Sequence, residues 1–394
     1  MKKSALYKKQ LITAASVALT AASAYCQQKA ATPSGFELKR GVNLSHWLSQ
    51  NFGWSPRESF ITEKDIKFIA GAGYDHVRIP VDEAEMWTAD GKPSEPSFAY
   101  LTRCLDWCAK HNLRVVVDLH ILKAHHLNAE NEGGKITLWT DPAAQDNFIK
   151  LWVEISGRLK KYPVDRVAYE LMNEPVAQDP EDWNQLIAKA VKAIRQLEPR
   201  RVLVIGSNRW QTPENFPFLK IPPDDPIIIL SLHTYAPLFF THHLADWTAF
   251  KDFKGPVHYP GRVIAGADFP KSMMNTTNAD LKFQLEESRQ VFNKQKLAAV
   301  LRPAIQKAKE LKLPLYCGEF GCLPHVERAD RLKYYEDIIS VFEENNIGWC
   351  NWEYKGDFGI YTFDFDKKVS LAPDTGLIHA LMRRHSTSNR PAVS

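Results

Sequence analysis

Residues 167–206 read VAYELMNEPVAQDPEDWNQLIAKAVKAIRQLEPRRVLVIG. The segment opens with a mostly apolar run at 167–172 and closes with a second one at 202–206. Between them, residues 181–197 repeat apolar side chains at the three- and four-residue spacing of an amphipathic helix. Two short strands joined by a helix are typical of a parallel βαβ unit.

The same alternation runs through most of the chain and decides the fold class. The strand candidates are residues 40–44, 74–79, 114–119, 167–172, 202–206, 227–233, 315–319 and 348–352. The helix candidates are residues 62–72, 96–111, 142–160, 181–197, 280–311, 325–346 and 375–384, and the pattern weakens to a short or irregular helix at 213–218. Eight strands with intervening helices predict an α/β fold, a (β/α)8 TIM barrel. A doubly wound sheet would need a glycine-rich phosphate turn after its first strand, where residues 41–46 read GVNLSH instead.

The two ends of the chain differ from the barrel pattern. A lysine-rich start, an apolar stretch at 11–24 and the small-residue site Ala22-Ser23-Ala24 predict a signal peptide over residues 1–24. We therefore expect cleavage near Ala24 and a secreted or periplasmic protein with no membrane span. Residues 25–38 are interpreted as an N-terminal extension, 39–385 as the barrel domain and 386–394 as a disordered tail.

Charge and cysteine content exclude other classes of protein. The formal charge of +4 falls to zero without the four lysines of residues 1–24, which argues against a nucleic-acid surface. The six cysteines lack the paired short spacings of a zinc site, so we interpret them as structural.

The longest irregular segment, residues 236–277, is rich in Pro, Gly, His and aromatic residues. It follows the sixth predicted strand and should therefore overhang the C-terminal face of the barrel. A loop of this length in a compact domain is typical of a lid or a binding wall.

A barrel of this kind carries its functional residues at the C-terminal ends of its strands. Glu174 follows the fourth predicted strand, and Glu319 ends the seventh. Two carboxylates facing each other across the barrel mouth can supply an acid/base catalyst and a nucleophile that together break an acetal. The alternative for either glutamate alone is an ion pair with a lysine at the rim.

Several strand ends together resemble the signature positions of glycoside hydrolase family 5, the retaining β-glycanases of the cellulase type. The matching motifs are Asn173-Glu174-Pro175, Gly318-Glu319-Phe320-Gly321, Asp118-Leu119-His120, Arg78-Ile79-Pro80 and His233-Thr234-Tyr235. The match extends from Gly41 to Trp352. It implies hydrolysis of a β-linked polysaccharide, foremost a β-1,4-glucan attacked internally. Exo-β-1,3-glucanases, mannanases and xyloglucan hydrolases of the same family share these residues and stay open as alternatives.

The resemblance also implies a role for each site residue. Glu174 would be the general acid/base and Glu319 the nucleophile, with their carboxyl groups about 5 to 5.5 Å apart. Arg78 and Tyr235 would keep Glu319 ionised, and Asn173 would hydrogen-bond to the sugar 2-hydroxyl. His120 and His233 would hydrogen-bond to the substrate or to Glu174. Trp352 would form the aromatic surface beneath the sugar being cleaved.

Further tryptophans in loops after strands are candidates for stacking on pyranose rings, namely Trp47, Trp139 and Trp210. Seven histidines near strand ends and in loops raise the alternative of a metal-dependent hydrolase, but no His-x-His ends the first strand. We therefore expect no metal or other cofactor, a polysaccharide or oligosaccharide as the partner, and a monomer. An inactive carbohydrate-binding barrel is the alternative from another class, and the two intact glutamates argue against it.

Overall fold

The computed structural model describes residues 34–383 except 52, 54–55, 127–135 and 365. The predicted signal peptide, most of the N-terminal extension and the C-terminal tail lie outside the described residues. Within the described part of the chain, no helix combines the length and the apolar character that crossing a membrane requires.

Eight parallel strands close into a barrel, which confirms the predicted fold class. The barrel strands are β1 (Arg40–Asn43), β2 (His76–Val81), β3 (Arg114–Leu119), β4 (Val167–Glu170), β5 (Val202–Gly206), β6 (Ile228–His233), β9 (Leu315–Phe320) and β10 (Gly348–Asn351). Each strand pairs with its neighbours along the chain, and β10 closes the barrel against β1 through the pairing of Val42 with Asn351. All eight were predicted, and β3 and β5 have the predicted bounds.

Helices surround the barrel. They are α1 (Arg57–Phe60), α2 (Glu63–Gly71), α3 (Glu83–Met86), α4 (Glu95–Lys110), α5 (Pro142–Leu159), α6 (Pro180–Leu197), α7 (Leu238–Thr241), α8 (Ala279–Ser288), α9 (Lys294–Leu311), α10 (Arg328–Glu344) and α11 (Thr375–Met382). Each predicted helical segment contains at least one of these helices, and the three short helices α1, α3 and α7 were not predicted. Helices α5 and α6 both begin with an Asp-Pro pair, and the same interactions stabilise both N-termini. The side chains of Asp141 and Asp179 accept backbone N–H bonds in the first turn, and proline has no N–H to leave unpaired there. A 3-10 helix, Pro213–Phe218, stands where the helical pattern weakened.

The base of the barrel includes residues that the sequence assigned to the N-terminal extension. Phe36 and Leu38 are buried and belong to a cluster of apolar side chains with Val116, Val204 and Tyr316 from three barrel strands. The barrel core therefore begins before β1.

One predicted helix is wrong in its extent, because residues 280–311 form two helices rather than one. Between α8 and α9, strand β8 (Val291–Phe292) pairs antiparallel with β7 (Gly261–Arg262) from the long irregular segment. The Asn293 side chain then accepts the backbone N–H of Lys296 and starts α9 afresh. A second hairpin, β11 (Tyr361–Asp364) and β12 (Val369–Pro373), was not predicted and follows the last barrel strand.

All five cysteines in the described residues are buried and free, as expected of structural thiols: Cys104, Cys108, Cys317, Cys322 and Cys350.

Candidate active site

The structure brings the two predicted glutamates together at the mouth of the barrel. Glu174 lies four residues beyond the end of β4, and Glu319 is the fifth residue of β9. One carboxylate oxygen of Glu174, one of Glu319 and a ring nitrogen of His233 all lie within 4.8 Å of one another. Both side chains are largely buried, at 8% and 5% exposed. The carboxyl groups are therefore close enough to act on one bound sugar.

Arg78 organises the floor of this site from strand β2. Its Nη1 donates to Glu319 Oε1 at 2.7 Å, and its Nε donates to Glu170 Oε2 at 2.7 Å. Its Nη2 donates to Asn173 Oδ1 at 2.9 Å and lies 3.0 Å from Asp118 Oδ2. Its Nη1 also donates to Asn43 Oδ1 at 3.0 Å. The guanidinium is fully buried, so three carboxylates and two amides share a single cation in a water-poor region.

The two glutamates differ in their remaining partners. The Tyr235 hydroxyl donates to Glu319 Oε2 at 3.0 Å. His233 Nδ1 lies 2.8 Å from Glu174 Oε1 but 3.7 Å from Glu319 Oε2. Burial lowers the pKa of His233 well below its usual value, and the charge of Arg78 lowers it further, so this imidazole is neutral.

These partners separate the protonation of the two carboxyl groups. Burial raises the pKa of Glu174 well above its usual range, and the charge of Glu319 raises it further. Burial also raises the pKa of Glu319, but Arg78 and the Tyr235 hydroxyl oppose that rise. Glu319 is therefore the more readily ionised group, and Glu174 the group that retains a proton. Such a pair can supply an acid and a nucleophile at one pH.

His120 and Trp352 form one wall of the site. Their rings lie nearly parallel, with centroids 5.7 Å apart and an interplanar angle of 10°. His120 Nδ1 lies 2.7 Å from Asp118 Oδ2, which fixes the ring, and burial lowers the pKa of His120 to about 4. Trp352 also packs in a small apolar cluster with Ala245, so the long irregular segment reaches this wall as predicted.

A second polar cluster lies beside Trp352 and was not predicted. His46 Nε2 lies 2.9 Å from Glu353 Oε2, and the same oxygen accepts the Ser45 hydroxyl. Burial, together with the neighbouring Glu353 carboxylate, raises the pKa of Asp357 to about 7. His46, Glu353 and Asp357 form one of two groups in the described residues whose ligand-type atoms converge within 4.8 Å, the other being Glu174, His233 and Glu319. In the second group, His233 Nδ1 already forms a hydrogen bond with Glu174 Oε1.

Of the other three predicted tryptophans, Trp47 differs from Trp139 and Trp210 in burial. Trp47 is 1% exposed, and its Nε1 donates to the Arg57 carbonyl, so its ring lies in the core and outside the site. Trp139 is half-buried with its ring edge-on to His125. Trp210 is half-buried in the loop after β5, and its backbone N–H donates to the carbonyl of Pro175, next to Glu174. Burial thus rules out stacking for the Trp47 ring and leaves Trp139 and Trp210 as candidates.

Sequence reasoning missed two buried polar residues beneath the glutamates. Glu170 bonds Arg78 from inside an otherwise apolar strand, and that isolated charge was the signal that could have revealed it. Gln211 donates to Glu170 Oε1 at 3.1 Å and accepts the N–H of Glu174 at 3.0 Å. It lies in a loop without periodicity, where no sequence pattern pointed to it.

Comparison with known proteins agrees with this arrangement. The family model for cellulase, glycosyl hydrolase family 5, matches residues 31–357. The chain is 38% identical over 354 residues to endoglucanase C of Acetivibrio thermocellus, covering 88% of this chain and 98% of that protein. It is 29% identical to cellodextrinase A of Ruminococcus flavefaciens, covering 78% and 83%. Endoglucanase Cel5A of Thermotoga maritima has the same fold, with a TM-score of 0.66 at 24% identity over 87% of this chain and 97% of that one. The chain is therefore a glycoside hydrolase and belongs to glycosyl hydrolase family 5.

Proposed function

We propose that this chain is an endo-acting β-1,4-glucanase that hydrolyses its substrate with retention of configuration. The observation that carries the proposal is the closeness of Glu174 and Glu319, whose oxygens lie within 4.8 Å of each other. Retaining enzymes need this short separation because the nucleophile bonds directly to the sugar, whereas inverting enzymes leave room for a water. The relatives named endoglucanase support the choice of substrate.

In the first step, Glu319 attacks the anomeric carbon while Glu174 protonates the departing glycosidic oxygen. The bond between Glu319 and the sugar forms as the glycosidic bond breaks, and this gives a covalent glycosyl-enzyme. In the second step, the ionised Glu174 takes a proton from water, which attacks the same carbon and releases Glu319. The unequal partners of the two carboxylates support this division, because Tyr235 and Arg78 both bond to Glu319.

The remaining residues support substrate binding. Arg78 holds the amide oxygen of Asn173, which leaves the Asn173 NH2 group for the sugar 2-hydroxyl. Hydrogen bonds to that hydroxyl strengthen in the transition state. His233 orients Glu174, and the parallel rings of His120 and Trp352 line the sugar being cleaved. The chain needs no cofactor in this scheme.

A polysaccharide panel with product analysis tests the proposal. We expect oligosaccharides from β-1,4-glucan, and a β anomer in freshly released product by proton NMR. Dominant activity on mannan, xyloglucan or β-1,3-glucan would move the substrate to another branch of the family. An inverted anomer would contradict the mechanism.

The Glu319→Gln variant separates the enzyme from a carbohydrate-binding barrel without activity. It should bind cello-oligosaccharides and release no product, because the uncharged amide cannot form the glycosyl bond. If the wild-type protein also binds sugars but is inert across the panel, the binding barrel is the correct function.

We further propose that residues 1–24 direct export and that residues 39–385, together with the packed Phe36 and Leu38, act as one monomeric catalytic domain. The lysine-rich and apolar leader supports export. N-terminal sequencing of protein recovered outside the cytoplasm should begin near Tyr25, and light scattering should give the mass of one chain. An uncleaved N-terminus or a dimer would contradict these proposals.

A further inference from the structure

We propose that Gln211 is a positioning residue that fixes the backbone of Glu174 and links it to the ion pairs behind Glu319. The inference rests on the proposed function, because it gives Gln211 a task only if Glu174 is the acid/base catalyst. Gln211 is fully buried below the two glutamates and lies too deep to contact a sugar. It would therefore act on catalysis through other residues.

The side-chain amide of Gln211 is used at both ends. Its Oε1 accepts the backbone N–H of Glu174 at 3.0 Å, and its Nε2 donates to Glu170 Oε1 at 3.1 Å. A neutral amide suits both neighbours because it offers one acceptor and one donor in a fixed geometry. A Cβ at Gly206 would collide with this amide, so the glycine in β5 leaves the space that Gln211 fills.

The backbone of Glu174 needs such support. Glu174 has a φ of 45°, in the left-handed region that residues other than glycine rarely adopt. Conformations of this kind persist when their surroundings over-determine them. The bond from Gln211 to the Glu174 N–H is one such restraint, and it fixes the direction in which the carboxyl group leaves the chain.

The main chain of Gln211 restrains the partner of Glu174 as well. The carbonyl of Gln211 accepts the backbone N–H of His233 at 3.0 Å, and the His233 ring contacts the Glu174 carboxyl group. Gln211 is the last of three consecutive residues with positive φ, from Arg209 to Gln211. This turn directs its side chain toward Glu174 and Glu170 and its carbonyl toward the N–H of His233. One residue thus sets the positions of both members of the Glu174–His233 pair.

A chain of hydrogen bonds connects Gln211 to the nucleophile. Gln211 binds one oxygen of Glu170, the other oxygen of Glu170 accepts Arg78 Nε at 2.7 Å, and Arg78 Nη1 donates to Glu319 at 2.7 Å. Without the amide donor, Glu170 would keep only the longer 3.3 Å contact from Ser231 on that oxygen. The amide therefore helps hold the floor on which both carboxylates rest.

The test uses aryl β-cellobiosides with good and poor leaving groups. A 2,4-dinitrophenyl group departs without protonation, whereas a phenyl group needs the acid. In Gln211→Met, which fills similar space but cannot hydrogen-bond in this way, kcat/KM for the phenyl substrate should fall at least about 10-fold. For the dinitrophenyl substrate the loss should be smaller, within about threefold, because no proton is required there and only the indirect link through Glu170 and Arg78 to Glu319 is weakened.

A second variant, Gln211→Glu, tests the same idea through pH. A protonated glutamic acid still accepts from Glu174 N–H and donates to Glu170, whereas an ionised one cannot donate. Activity on the phenyl substrate should therefore approach the wild-type value at low pH and decline at a lower pH than in the wild type. Gln145→Met is the matched control: Gln145 lies on the outer helix α5, where its amide donates to the Leu138 carbonyl and accepts from Lys189 Nζ.

Equal losses on both substrates, no loss on either, or failure of both variants to fold would make Gln211 a structural residue and overturn the inference. These outcomes differ from failure of the proposed function, in which the wild-type protein itself would hydrolyse neither cellobioside.

Discussion

Replacing Tyr235 with phenylalanine should slow the second step of hydrolysis more than the first. The Tyr235 hydroxyl donates to Glu319 Oε2 at 3.0 Å. In the first step Glu319 loses its negative charge to the new glycosyl bond, so this hydrogen bond mainly stabilises the starting state. In the second step Glu319 leaves the sugar and regains the charge, and the same hydrogen bond stabilises the transition state.

A hydrogen bond to a charged group contributes about 1.5 to 3 kcal/mol, which corresponds to a rate change of roughly 10- to 150-fold. The charge on Glu319 is only partly developed in the transition state, so we expect a decrease in kcat near the lower end, about 10-fold. The value of kcat/KM, which reports the first step, should change by less than about threefold. KM should therefore fall together with kcat as the glycosyl-enzyme accumulates.

Stopped-flow measurement with 2,4-dinitrophenyl β-cellobioside reads both steps, because accumulation of the intermediate appears as a burst of dinitrophenolate. The acidic limb of kcat/KM should also move to higher pH, since the Tyr235 hydroxyl lowers the pKa of Glu319. Tyr162→Phe is the control, because the Tyr162 hydroxyl donates at 2.8 Å to Asp106 on the outer helix α4. A Tyr235→Phe enzyme without a burst, with kcat and kcat/KM reduced equally, would refute this reasoning.

Three further predictions concern single side chains. Glu174→Ala should lose activity on phenyl β-cellobioside yet form β-cellobiosyl azide from the dinitrophenyl substrate when azide is added, and an α-azide would instead mark residue 174 as the nucleophile. In the folded protein Asp357 has a pKa of about 7, above the roughly 4 of an unfolded aspartate, so stability is lost as pH rises through this interval. Asp357→Asn should reduce the fall in Tm between pH 5 and 8 by about 2 °C or more, and a parallel fall in both proteins would contradict the assignment. Trp247 is 49% exposed beside Phe358, so Trp247→Ala should raise KM for long glucans roughly 2- to 10-fold while leaving aryl glucoside hydrolysis unchanged.

The elements that the sequence predicted best are those with strong local patterns. Strands such as β3 and β5 are short apolar runs that are buried on both faces, and their bounds follow from that composition. Glu174 and Glu319 were predictable because each follows or ends such a run, and a closed parallel barrel gathers these ends at one mouth.

Features that depend on long-range contact were not predictable in the same way. The apolar periodicity of residues 280–311 continues through the break at β8, because the break arises from pairing with β7 in the long segment. The cluster of His46 with Glu353 joins residues more than 300 positions apart, and it exists because β10 closes the barrel against β1. Gln211 depends on a left-handed turn that has no characteristic residue pattern.

The charge balance around Arg78 has a consequence for inhibition. This guanidinium contacts the carboxyl groups of Glu319, Glu170 and Asp118, so acidic groups outnumber the cation that holds them. A pocket with surplus negative charge attracts an iminosugar whose ring nitrogen is protonated, and it repels a saccharide that carries uronate groups. We therefore expect basic sugar analogues to bind this enzyme as inhibitors, and we expect pectin-like chains with uronate groups to bind weakly.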